Sequence, residues 1–124
     1  MSENPKVCTG ASTLIFPCSG GSDVGALSDL AARQMTRDGT GKMYCLAGIG
    51  GQIPGILSTT QNATKILAID GCPMNCAKKI LERAGVSNFG HLCLSTAGFQ
   101  KGASPATPEN VAKAVMSGST ALAD

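Results

Sequence analysis

The chain has very few aromatic side chains: 124 residues include three Phe, one Tyr and no Trp. Proteins that hold single-stranded nucleic acid stack its bases on such rings, so that mode of binding is excluded. Charge is sparse as well. A formal net charge of +2 is too small to drive binding to nucleic acid or to an anionic membrane. No apolar run approaches the roughly 20 residues that a membrane-spanning helix needs, and the opening MSENPKVC is polar, without a hydrophobic signal core. The expectation is a cytoplasmic protein whose partner is neither nucleic acid nor membrane.

What the chain does have is cysteine, six in all. In the cytoplasm thiols are kept reduced, so these six are expected as metal ligands, redox thiols or core fillers rather than structural disulfides. The length suits one domain with a core that needs no staples.

The stretch ILAIDGCPMNCAKKIL, residues 66–81, organises the rest. An apolar run of strand character ends at Asp70-Gly71. Cys72 and Cys76 follow four residues apart, with Pro73 placed for the first turn of a helix. Ala77, Ile80, Leu81 and Ala84 then recur at helical spacing, and Gly85 stops the helix. Earlier in the chain, Thr13–Pro17 reads as a strand, and Ser22 or Asp23 caps a helix carrying Val24, Leu27, Leu30, Ala31 and Met35. Lys42–Ala47 reads as a second strand with Cys45 near its end. A glycine turn (GIGG) follows, then a weaker helix around Ile53, Ile56 and Leu57. Later, His91–Ser95 reads as a fourth strand, and Thr107-Pro108-Glu109 opens a last helix. Residues 1–12 are expected as a flexible lead, 13–117 as the domain and 118–124 as a frayed tail.

Strand alternating with helix predicts an α/β fold, a single-domain three-layer sandwich around a four-stranded, mostly parallel sheet of order 2-1-3-4. Right-handed crossovers bring all C-terminal strand ends to one edge, and the order reverses between strands one and three, the place where such sheets bind ligands. Cys18, Cys45, Cys72 and Cys76 all fall at that edge. Four thiols there could close on zinc at about 2.3 Å, with a helix N-terminus offsetting some of their charge. Taken singly, the four could be small buried hydrophobes, but chance would not place all of them at one edge. A closed four-cysteine site points to a structural, storage or regulatory role rather than to catalysis. The alternative is a thiol redox or iron–sulfur protein using the same cysteines.

The motifs PCSGG, YCLAGIGG and IDGCPMNCAKKILE resemble those of the DGC-domain family, to which zinc binding is ascribed. The resemblance runs from about Leu14 to Val115, and it implies a metal-binding domain with Cys18, Cys45, Cys72 and Cys76 as ligands.

Other residues are set aside. Cys93, between Leu92 and Leu94, is expected in the core, and Cys8 lies ahead of the sheet. His91 begins its strand and is expected at the edge opposite the thiols. Asp70 is assigned a structural role, capping the central helix or hydrogen-bonding the glycine-rich loops, ahead of a role behind metal ligands. GIGG lacks the third glycine of a dinucleotide loop, since Ile53 stands there. A cysteine-phosphatase loop needs an arginine six residues on, where Val24 and Lys78 stand instead. No CxxC precedes a helix as in thioredoxin-like enzymes.

Overall fold

Short apolar runs alternate with amphipathic ones, and in the computed structural model, which describes residues 12–123, they form strands and helices in turn. The strands are β1 (Thr13–Pro17), β2 (Lys42–Met43), β3 (Lys65–Asp70) and β4 (Gly90–Cys93). The helices are α1 (Asp23–Arg37), α2 (Leu46–Gly50), α3 (Pro54–Gln61), α4 (Cys76–Arg83) and α5 (Pro108–Ala123), with one 3-10 turn at Leu94–Thr96. The sheet order is β2-β1-β3-β4, and every pairing is parallel. The expected three-layer α/β sandwich and its strand order are therefore present.

The period-2 alternation of strand side chains divides the core. Ile15, Leu67 and Ile69 face Val24, Leu27, Ala31 and Met35 of α1 and Ala114 and Leu122 of α5. Leu14, Phe16, Ile66 and Ala68 face the other way, onto Ile49 of α2 and Ala77 and Leu81 of α4, with Ile56 and Leu57 of α3 packed alongside. Because both faces are covered, these strands read as unbroken apolar runs. Ser22 caps α1 by accepting from the Gly25 amide at 3.1 Å, while Asp23 in the first turn and Arg37 in the last both suit the helix dipole.

Four boundaries differ from the sequence-based expectation. The second strand stops at Met43, and the glycine-rich stretch after it coils into α2, with Cys45 as its N-cap. Gly48 explains that choice: a Cβ there would lie 2.2 Å from Ile56 Cδ1, so a bare backbone lets α2 nest on α3. Pro73 lies in a turn ahead of α4, not in its first turn, so Cys76 begins the helix. The C-terminal segment is helical through Ala123 rather than frayed. Its anchors are Leu122, which is buried, and Gly118, whose missing side chain makes room for Met35 Sδ. Cys8 and most of the N-terminal lead lie outside the described residues.

Candidate functional site

Parallel pairing sends every strand out at the same edge, and cysteines follow each one. Cys18 succeeds β1, Cys45 lies two residues past β2, Cys72 two past β3, Cys76 opens α4, and Cys93 closes β4. All five are free thiols, Cys45 and Cys76 exposed and the other three half-buried. Cys93 thus departs from its expected core position. It pairs in register with Asp70, at the very end of the sheet, and its Sγ is 3.1 Å from Ser95 Oγ.

The triplet Asp70-Gly71-Cys72 has a physical reason at each position. Asp70 is 1% exposed, and its Oδ1 accepts from the Ala77 amide at 2.7 Å. Its Oδ2 accepts from the Lys78 amide at 3.1 Å and from His91 Nε2 at 2.9 Å. Three donors satisfy a buried carboxylate that would otherwise be costly, and they give Asp70 the capping role expected of it. Gly71 passes so close to α1 that a Cβ would stand 2.7 Å from the Val24 carbonyl carbon. The chain then turns, with the Asn75 amide donating to the Cys72 carbonyl at 3.1 Å, and α4 starts at Cys76. Asn75 itself is left-handed (φ 55°, ψ 48°), a conformation asparagine tolerates better than most residues.

Each thiol has its own surroundings. The Cys18 amide donates to Ile69 O at 2.9 Å, and its Sγ is 3.3 Å from Ser28 Oγ. The Ser28 hydroxyl donates to Gly25 O at 2.7 Å, so in the Cys18 contact the thiol is the donor. Cys72 packs against the core under α1 and α5, whereas Cys18 packs against the opposite core. Lys101 Nζ is 4.0 Å from Cys72 Sγ. The loop that carries Lys101 is tied to α1: Asp23 accepts from the Gly102 amide at 2.9 Å and the Ser104 amide at 3.0 Å. These two bonds, Gly102 first, hold the Asp23 carboxyl below its ordinary pKa. Beside Cys45 opens a cavity of about 530 Å³ lined by Arg33, Arg37, Tyr44 and Ile56, so that thiol is accessible.

The four expected ligands share one edge, yet they do not form a finished coordination sphere. Among the described residues no three of His, Cys, Asp and Glu stand together as a metal-ion group. Cys18 and Cys72 lean on opposite cores, which accounts for this. His91 is also not remote. The strand polarity is as expected, but β4 is only four residues long and starts beside Leu67, the third residue of β3. His91 therefore sits close enough to the C-terminal edge to reach Asp70. The alternation of the fourth strand puts His91 and Cys93 on one face, a signal that could have linked them to Asp70. Nothing in the sequence marked Lys101.

The DGC domain model matches residues 14–117. A Pseudomonas aeruginosa protein, "Anaerobic and virulence modulator AnvM", is 39% identical over 88 residues, which cover 71% of this chain and 67% of that protein. No solved structure matches the chain. With the family model spanning most of the domain and the sheet bearing its cysteine motifs at one edge, the chain belongs to the DGC-domain family.

Proposed function

We propose that the protein is a zinc-binding module of regulatory or structural type whose ligands are Cys18, Cys45, Cys72 and Cys76. The observation that carries this reading is that all four cysteines fall at the C-terminal edge of one parallel sheet, around the reversal in strand order. The donor set fits the ion in chemistry, since soft thiolates select zinc over hard cations. The turn between Cys72 and Cys76 also holds a buried acceptor, Asn75 Oδ1, without a hydrogen-bond partner, an open polar demand beside two of the proposed ligands. Cys45 and Cys76 are exposed at helix starts, whereas Cys18 and Cys72 are half-buried. Four thiolates would close the sphere, and a closed sphere leaves no position for a reacting water. The relative AnvM is named a modulator, and regulation is the class of role we carry over from it.

A second reading is thiol redox chemistry at Cys72 and Cys76. Cys76 is exposed and Cys72 half-buried, the two flank a single turn, and a disulfide there requires Cα atoms within about 7 Å. Metal analysis separates the two readings. Protein purified without oxygen should carry one zinc per chain and no visible colour. Serine at any of the four positions should lower zinc content, while Cys93→Ser should leave it unchanged. A brown chromophore would identify an iron–sulfur cluster instead. Zinc kept by Cys18→Ser but lost by Cys93→Ser would show that the ligand set is wrong.

A further inference from the structure

We infer that Asp70 and His91 are the positioning pair for the Cys72–Cys76 turn, holding its two thiols in a fixed attitude; the inference deepens the proposed metal site and rests on that reading. The starting point is how α4 is capped. Asparagine is among the best N-cap residues, because its side chain accepts from the second or third amide of the helix. Asn75 occupies that position but makes no capping bond, and its Oδ1 is buried without a partner. The second and third amides, those of Ala77 and Lys78, go to Asp70 instead.

This substitution of a remote cap for a local one changes what the bond does. A local cap would fix only the helix end. Bonds from Asp70 to Ala77 and Lys78 close a loop that begins at the last residue of β3, ends in the first turn of α4, and contains both Cys72 and Cys76. His91 then fastens the same carboxylate from a third element, β4, at 2.9 Å. The carboxylate is thus held from two sides, and Gly71 lets the loop lie against the Val24 backbone. Side chains behind metal ligands set ligand orientation in this way, and losing one typically costs roughly tenfold or more in metal affinity.

His91 is the better test site because its side chain is 21% exposed, on an edge strand. His91→Leu removes the bond to Asp70, and His91→Gln places an amide N–H at similar reach. In metal-free protein, alkylation by iodoacetamide would be followed cysteine by cysteine with mass spectrometry, taking Cys18 and Cys45 as internal references. His91→Leu should speed the labelling of Cys72 and Cys76 several-fold relative to the references, and His91→Gln should restore the wild-type ratio. In cobalt-loaded protein, His91→Leu should weaken binding roughly tenfold and shift the thiolate-to-cobalt absorption, with His91→Gln again close to wild type. Asp70→Asn, which keeps one acceptor oxygen, provides a second variant and should move both readouts in the direction of His91→Leu. Wild-type labelling ratios in both His91→Leu and Asp70→Asn would overturn the inference. If the wild type binds neither zinc nor cobalt while His91→Leu still frees Cys72 and Cys76 to react, the positioning role stands and the metal reading fails.

Discussion

Gly71→Ala should destabilise the domain by about 1–3 kcal/mol, although it adds only one methyl group. Gly71 is not among the glycines with positive φ, so alanine could adopt its backbone conformation. What excludes a side chain is space. The new Cβ would stand 2.7 Å from the Val24 carbonyl carbon, 2.8 Å from its oxygen and 2.9 Å from its Cγ2, where ordinary contact begins near 3.4 Å. Two of the three obstacles are backbone atoms, in a first turn held by Ser22 and tied to the 102–104 loop through Asp23. The upper half of the range is therefore expected. Relief would have to come from moving the turn that carries Cys72, so zinc retention should fall together with stability. For a chain of this size the loss corresponds to a fall of roughly 8–12 °C in Tm. Urea unfolding would read it as a lower midpoint with an unchanged slope. Gly55→Ala is the control: it lies inside α3 with nothing within 4 Å of its would-be Cβ, and it should stabilise by about 0.5–1 kcal/mol. A Gly71→Ala protein that melts at the wild-type temperature would refute the close-approach argument.

The Asp23 clamp should show in the pH dependence. Its folded pKa is depressed below 3.8 by the Gly102 and Ser104 amides, so its contribution is fully present above that value and is lost as pH falls through the folded pKa. Protection of the Gly102 amide against exchange should fall over that acid range in the wild type and be low at every pH in Asp23→Ala; equal protection in the two proteins would rule out the clamp. Leu122→Ala should destabilise by about 2–4 kcal/mol, as loss of a buried leucine does, whereas a frayed tail would give no change in a thermal melt.

Much of the architecture could be read from the chain because each strand is a continuous apolar run and each long helix carries its own punctuation. Ser22 before α1 and Thr107-Pro108 before α5 marked the starts of two helices that the structure retains. The parallel arrangement followed from the alternation of elements, and with it the shared edge of the cysteines. The turns were less legible. Pro73 carries the signal of a helix start, but the left-handed Asn75 and the remote Asp70 cap delay the helix to Cys76. GIGG resembles a loop by composition, yet it coils because Gly48 must sit against Ile56, a tertiary demand invisible to local propensity. The helical tail depends in the same way on Met35 and Gly118 meeting across two helices. At the site, residue type identified the thiols and topology placed them at one edge. His91 joins Asp70 only through the stagger of β4 against β3, and Lys101 reaches Cys72 from a loop that Asp23 ties down.

The measurement that bears most directly on the metal reading is X-ray absorption at the zinc edge of protein purified without oxygen. Four sulfur scatterers at about 2.3 Å, with no shorter nitrogen or oxygen shell, are the result expected for Cys18, Cys45, Cys72 and Cys76 as ligands. Serine at any one of the four should reduce the sulfur count, and Cys93→Ser should leave the spectrum as it was. A protein that holds no zinc, or a shell dominated by nitrogen or oxygen near 2.0 Å, would contradict the assignment of these thiols as the site.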